Sequence, residues 1–432
     1  MDAVPSQSDA IVLRSIRWSE GGRRVDFEAD ASGAAARYFA GLPPMFVRYG
    51  EDLSDTPASV AVLAWLGSVL PIAWLGGIEV VVPELDEVFA QSEPALRAQF
   101  AQRYPGQRIE GRLRALRVVR QIDKSTQGPP LMLFSGGLDA MATFLRRRDE
   151  RPSLVTVLGG DIRLDQSREW RECMEHIRDE PVLKGFERLV VESNFREFYH
   201  LPVVERHLHA NWWGSVQFGT GFICLLIPLA RRRCSGVIYI ASSIEGVSSV
   251  GSSEAVDSLV HWGGGACHHD SAGVPRPAKA RELVAAARRL GVPIRVRVCW
   301  MQPEGWLNCG RCEKCLRTAI NFIAAGADPE RFGVPMGADF YPRLMRTLAA
   351  QRRKDVLEPV WQENTDAVGA ALANGGAFLR PGSPADRAWL TRIAAGEPVR
   401  ILRLSRTSVG RKWKRLQLRL ARWIPWLDPG RE

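Results

Sequence analysis

The sequence predicts an α/β protein: a parallel sheet with helices on both faces, a smaller N-terminal α+β domain, and a helical C-terminal region. Three observations carry this reading. Between residues 125 and 335, apolar runs of strand length alternate with segments of helical spacing, as in parallel sheets whose crossovers are helices. Residues 1–120 hold strands and helices of their own. Beyond Gly333 the chain reads as helical connections that end in a basic stretch. At ~150 residues per domain, a chain of 432 accommodates these spans as 1–120, 125–335 and 336–432.

In chain order, IRWSEGGRRVDFEA reads as two strands around a Gly-Gly turn. An apolar helical stretch (VAVLAWLGSVLPIAWL), a strand (IEVVVPEL) and a helix (DEVFAQSEPALRAQFAQRY) follow. The parallel region opens with PLMLFSGG, a strand meeting a Gly-Gly turn, then a helix, LDAMATFLRRR. SLVTVLGGD, FERLVVESN and GVIYIASS supply further strands, with REWRECMEHIRD among the helical segments. AKARELVAAARRLG is an amphipathic helix closed by Gly291, and IRVRVCW after it reads as a strand.

The composition, 46% hydrophobic and 25% charged, excludes a disordered or collagen-like chain. Eight Cys in this length is not a disulfide scaffold. The net charge of +10 is concentrated: Arg400, Arg403, Arg406, Arg411, Lys412, Lys414, Arg415, Arg419 and Arg422 form an uninterrupted basic set. The main body is therefore nearly neutral, which weakens a general nucleic-acid reading. No secretory leader is expected from MDAVPSQSDA. Two uncharged runs, 58–78 and 212–230, are broken by Gly and Pro and read as buried helices or hairpins. The expected location is the cytoplasm.

The sharpest local motif is Ser135-Gly136-Gly137-Leu138-Asp139-Ala140, set between a strand and its helix. Two glycines allow a tight turn and a close backbone approach to a ligand. Their N–H groups and the helix start make an anion cradle. Ser135 can donate to a phosphate oxygen, and Asp139 suits a Mg²⁺ ion bridging phosphates. The plain alternative is a strand-to-helix turn with an acid in the first helical turn.

LFSGGLDA resembles the pyrophosphatase loop (PP-loop, usually SGGxDS or SGGxDT) of the adenine-nucleotide alpha-hydrolase-like superfamily. The resemblance implies ATP bound at Ser135, Gly136, Gly137, Leu138 and Asp139, with adenylation of a substrate oxygen and release of pyrophosphate. The last motif position, usually Ser or Thr, is Ala140 here, so one side-chain contact to phosphate is missing.

The second motif is Cys299, then Cys309, Cys312 and Cys315 in CGRCEKC. Thiolates at i, i+3 and i+6, with a fourth from a preceding strand, suit tetrahedral Zn²⁺ in a closed structural site. An iron–sulfur cluster is the competing metal. WLNCGRCEKCLRT resembles the zinc motif of 7-cyano-7-deazaguanine synthases, and AGADPERFG is similar to that family's continuation. The resemblance covers about residues 125–335, not the first ~120 or last ~90.

Other candidates follow from position. Ser242 and Ser243 come after a strand and would face a nucleotide crevice, or serve as a helix cap. Gly160 follows another strand and could lie against adenine or ribose, or be a plain turn. His269, Asp270, Arg276 and Lys279 fall in a Gly-rich stretch read as a loop, and form the substrate-binding candidates. Arg276 and Lys279 are spaced to meet one phosphate or carboxylate. Lys279 joins Ser135 and Asp139 as a catalytic candidate.

The tail RKWKRLQLRLARWIPWL places Trp and Leu at helical spacing opposite Arg and Lys. That pattern fits an anionic membrane surface such as the inner face of the membrane, an acidic partner, packing on its own chain, or, with less support, nucleic acid. A homodimer is compatible with the sequence. Together these readings predict an ATP-, Mg²⁺- and Zn²⁺-dependent enzyme that adenylates a carboxylate or amide oxygen for a nitrogen or sulfur nucleophile. A sulfur-inserting or amide-forming enzyme of a natural-product, glycan or defence pathway is one alternative. A non-catalytic nucleotide-binding zinc protein recruited by its tail is the other.

Overall fold

The computed structural model describes residues 9–121, 126–242, 251–352 and 354–404. Ser243 and the tail beyond Leu404 lie outside them. Two compact units divide the chain. The first comprises Met1–Ser135, Arg146–Trp170 and Gly185–Gly273; the second comprises Gly136–Leu145, Arg171–Lys184 and Val274–Glu432.

The first unit is built on a mixed sheet of eleven strands. They are β1 (Ala10–Ser19), β2 (Arg24–Ser32), β3 (Met45–Tyr49), β4 (Glu79–Asp86), β5 (Arg112–Val119), β6 (Leu131–Leu133), β7 (Ser153–Leu158), β8 (Arg188–Ser193), β9 (Val237–Ala241), β10 (His261–Trp262) and β11 (Gly265–Asp270). Their spatial order is β10-β11-β9-β6-β7-β8-β3-β2-β1-β4-β5. From β11 to β8 every neighbouring pair is parallel. From β8 to β1 the pairs are antiparallel, and β4 and β5 add two parallel steps.

This division differs from the three spans expected from the sequence. The strands of the first 120 residues share the sheet of the parallel region. β3 pairs with β8 through Val47↔Ser193, Arg48↔Glu192 and Tyr49↔Val191. The seam is reinforced by side chains: Ser193 Oγ donates to the Phe46 carbonyl at 2.5 Å, and Asn194 Oδ1 accepts the Phe46 N–H at 2.7 Å. One apolar core runs through it, with Val25 and Val47 in the same cluster as Val155, Val191 and Ile238.

The two membrane-like runs are interior helices. Helix α1 (Ala58–Gly76) has buried residues all round, which is the mark of a core helix rather than a surface one. It is long and apolar enough to cross a membrane, as is the helical stretch Trp213–Arg232, but 94% and 78% of their apolar windows are buried inside the protein. Gly67 of α1 is needed for close packing: a Cβ there would lie 2.4 Å from Cys224 Cβ. After β4, α2 (Glu87–Arg103) is capped by Asp86, whose carboxylate accepts the Phe89 N–H at 3.0 Å.

Two helices straddle the unit boundaries: α3 (Leu138–Arg147), which follows β6, and α4 (Ser167–Asp179), which follows β7. The second unit is otherwise helical: α5 (Arg276–Leu290), α6 (Glu313–Ala324), α7 (Phe340–Ala350), α8 (Lys354–Ala373), α9 (Pro384–Ala394) and α10 (Glu397–Leu404). The expected strand IRVRVCW is extended but joins no sheet. Its N–H groups are taken elsewhere: Arg295 donates to Glu180 Oε1, Val296 to the Phe332 carbonyl, Arg297 to the Gly136 carbonyl and Val298 to Asn308 Oδ1. With these four consecutive donors committed to loops and side chains, the segment cannot offer them to a ladder.

Candidate functional site

β6 stands where the strand order reverses. The chain continues to β7 and β8 on one side, and later to β9 and β11 on the other. In open α/β sheets, ligands bind beyond the carboxyl ends of the strands at such a reversal. The motif Ser135–Asp139 follows the carboxyl end of β6 directly. Phe134 extends the ladder by donating to the Val155 carbonyl at 2.9 Å, and Ser135 after it is exposed.

Gly136 turns the backbone with φ +74°. A side chain there would be strained and crowded, since a Cβ would lie 3.2 Å from the ring of His176. Met141 N–H donates to the Gly137 carbonyl at 2.9 Å, which starts α3. Ala140 is buried, so the position that departs from the PP-loop pattern faces the protein interior.

Asp139, in the first turn of α3, meets two cations of α5. Arg276 donates to Oδ2 from Nε (3.1 Å) and Nη2 (2.8 Å), and Lys279 Nζ lies 3.0 Å from Oδ1. Arg276 and Lys279 thus meet one carboxylate, and that carboxylate belongs to this chain rather than to a substrate. The Lys279 side chain is fully buried and that of Asp139 is 19% exposed. Burial alone would raise the Asp139 carboxyl; the two cations outweigh it and hold it at about 2. Both oxygens of Asp139 accept from cations of this chain, which would compete with the Mg²⁺ ion expected there from the sequence. The position of Asp139 suits fixing two positive charges behind the glycine turn.

The charge pattern extends along α6 and α8. Arg317 is buried and pairs with Glu313 at 3.4 Å. Trp361 Nε1 donates to Glu313 Oε1 at 3.0 Å. Burial raises the Glu363 carboxyl, against the pull of Arg276, Arg317 and Lys279.

The four cysteines converge. Their Sγ atoms all lie within 4.8 Å of one another, with separations of 4.0 Å (Cys299–Cys312), 3.8 Å (Cys309–Cys315) and 3.4 Å (Cys312–Cys315). Four sulfurs at ~2.3 Å from one ion would sit about 3.8 Å apart, so the set could hold a metal ion. Backbone donors point at the sulfurs: Met301 and Cys309 N–H to Cys299 Sγ at 3.3 and 3.4 Å, and Arg311 and Cys312 N–H to Cys309 Sγ at 3.4 and 3.2 Å. Such bonds stabilise thiolate charge. Gly310 permits the turn with φ +65°, where a Cβ would strike the Pro335 carbonyl at 2.8 Å.

No family model, curated protein or solved structure matches the chain.

The remaining sequence candidates lie in the first unit and have other partners. His269 and Asp270 are not in a loop. They end β11, which pairs with β9 through His269↔Ile240 and Asp270↔Ala241. Both are buried, because a parallel neighbour places them inside the sheet despite their polarity. His269 Nε2 lies 3.6 Å from Asp257 Oδ2. Asp270 is paired with Arg146 at 3.3 Å and Arg147 at 2.9 Å. Ser242 is buried, and its N–H donates to the Asp270 carbonyl at 2.9 Å. Gly160 is a packing glycine, since a Cβ would lie 2.4 Å from Phe222 Cζ.

The sequence reading missed His176. Burial and the charges of Arg295 and Arg297 lower its imidazole to about 4, so it stands neutral beside Gly136. It also missed Arg317, Glu363 and Trp361. Only the Arg in CLRT offered a signal, and no local pattern marks a polar residue on α8 as interior.

Proposed function

We propose that the chain is an ATP-dependent enzyme of the PP-loop type, similar to 7-cyano-7-deazaguanine synthases, that forms AMP and pyrophosphate. The observation that carries this reading is the position of the Ser135–Asp139 turn, directly after the strand at which the sheet reverses order. The backbone N–H groups of Gly136 and Gly137 would receive phosphate oxygens, with Ser135 adding a hydroxyl. Arg276 and Lys279, held in place by Asp139, would supply positive charge for the departing pyrophosphate.

A substrate carboxylate or amide oxygen then attacks the α-phosphorus, and the bond from that phosphorus to the bridging oxygen of pyrophosphate breaks. The resulting adenylate loses AMP when ammonia, an amine or sulfide attacks its carbon. The cysteine set fits zinc in a structural role. Zinc would fix the start of α6, and with it Glu313 and Arg317.

A second reading has one observation in its favour. The oxygens of Asp139 are already engaged, which suits a nucleotide-binding protein without turnover. Radiolabelled pyrophosphate exchange into ATP, followed over a panel of small carboxylates and carboxamides, separates the two. Exchange that is lost in Gly136→Val supports the enzyme. ATP binding with no AMP formed for any substrate supports the binding protein, and release of ADP with phosphate would sink the adenylation chemistry.

A further inference from the structure

The sheet of the first unit ends in two unlike edges. β10, at one end, is two residues long. β5, at the other, runs for eight, and no described strand lies beyond it. An open edge is a template for another strand, and proteins commonly blunt it by shortness, proline, bulges or charge. β10 is blunted by shortness. β5 contains no proline, and its register with β4 keeps one offset from Glu79↔Arg112 to Asp86↔Val119, without a bulge.

The pairing with β4 fixes which backbone groups are open. The two strands are parallel, and the Arg112 N–H donates to the Ile78 carbonyl at 3.1 Å. In a parallel ladder both polar groups of a residue point to one side, and successive residues alternate. Arg112, Arg114, Leu116 and Val118 therefore turn their amides and carbonyls to β4. Leu113, Ala115, Arg117 and Val119 turn theirs outward, spaced for an incoming strand.

The side chains give that strand a character. Leu113 and Ala115 pack against the core. Arg112, Arg114, Leu116 and Val118 share the opposite face, where Leu116 is 67% exposed and Val118 52%. Arg120 follows on the same alternation, just beyond β5. Arg114 pairs with Glu79 at 3.1 Å and Arg117 with Glu84. Arg112 and Arg120 are exposed and have no ion pair among the described residues. From Arg112 to Arg120 the chain has four arginines and no acid. A second copy of this edge would set like charges against each other, which opposes pairing. An acidic strand meets the same groups with charge-assisted bonds.

We infer that β5 is a docking edge for an extended segment of a partner protein, acidic at its ends, against Arg112 and Arg120, and apolar between, against Leu116 and Val118. Its backbone bonds to Leu113, Ala115, Arg117 and Val119 supply affinity, and its alternate side chains supply choice. The inference does not depend on the ATP reading.

The test uses the full chain and three blocked, fluorescently labelled peptides. ETVTVTETE and its reverse, ETETVTVTE, set acids against the arginines in an antiparallel and a parallel strand. KTVTVTKTK keeps the backbone and the apolar pair but inverts the charge. Fluorescence anisotropy reads affinity, and hydrogen exchange reads the amides of the protein. The expected result is one acidic peptide bound at least tenfold tighter than the lysine peptide, with exchange slowed at Leu113, Ala115, Arg117 and Val119. Ala115→Pro removes an outward N–H that β4 does not use. It should abolish binding while the circular dichroism of the protein stays unchanged. Arg112→Glu, at an exposed and unpaired position, is the variant to read should the proline fail to fold, and should narrow or reverse the preference for acid. Absent binding, equal affinity for acidic and lysine peptides, unchanged exchange at the four amides, or binding that survives Ala115→Pro in a folded protein each overturns the inference. So does a dimer protected at the same amides, which would make a second copy the occupant.

Discussion

Asp139 and Asp257 are both aspartates withdrawn from water, yet they end in opposite states. Asp139 is held at about 2, because Arg276 and Lys279 outweigh the cost of its burial. Asp257, in the first unit, is pushed up to about 7, because burial prevails over a hydroxyl bond from Ser252 and the more distant Arg103. Its other neighbour, His269 Nε2, stands 3.6 Å away, beyond a strong hydrogen bond. The difference shows what marks a site. Burial alone neutralises a carboxyl, whereas burial with two donated cations keeps a charge pinned where chemistry can use it. The cysteine cluster invites the same reasoning, since four sulfurs gathered this closely could hold a metal ion.

Removing any metal held by these thiols is the strongest way to probe the comparison. Stripping metal with a chelator should cost the chain several kcal/mol, up to the order of 10 kcal/mol seen when a site creates its fold. Chemical denaturation with and without added zinc measures it, and an unchanged midpoint would mean that the thiols need no ion.

Asp139→Asn comes next. It removes the carboxylate charge that Arg276 and the buried Lys279 share, and should destabilise the protein by about 3–5 kcal/mol. Asp139 contributes stability above its ordinary value near 3.8, and that contribution is lost as pH falls toward about 2. The loss on substitution should therefore be complete at pH 7. Restoring much of it with the paired change Asp139→Leu and Lys279→Met would show that the cost lies in the orphaned charge.

Asp257→Asn should act the other way. The folded protein prefers this group protonated, so its contribution is fully present below about 3.8 and is lost as pH rises through about 7. The Asn variant should gain stability progressively over that window, reaching at most about 4 kcal/mol above pH 7. A flat difference between pH 4 and pH 8 would erase the contrast between the two aspartates.

What the sequence disclosed follows from how local each signal is. β6, β7, β8 and β9 are short apolar runs, and the glycine turn and the CGRCEKC spacing are contiguous, so all were legible. β11 was not, because its residues are His and Asp, and only the neighbouring β9 makes them a strand. IRVRVCW has the right alternation, yet its donors go to Glu180, Phe332, Gly136 and Asn308, which no periodicity foretells. The partners of Asp139 lie 137 and 140 positions along the chain. Their mutual spacing pointed to an anion without saying whose. Arg317, Asn321 and Asn364 carry polarity into a helix interface, where pattern reading expects a solvent face.

The antiparallel zip between β3 and β8 has a consequence for how the protein can be divided. A shortened version starting near residue 126 would keep both motifs but strip β8 of its partner, leaving bare amide and carbonyl groups along a strand that is inside the sheet in the whole molecule. Such a raw margin recruits other chains. The opening segment is accordingly less an accessory than a selvedge, the woven border that stops the parallel cloth from fraying.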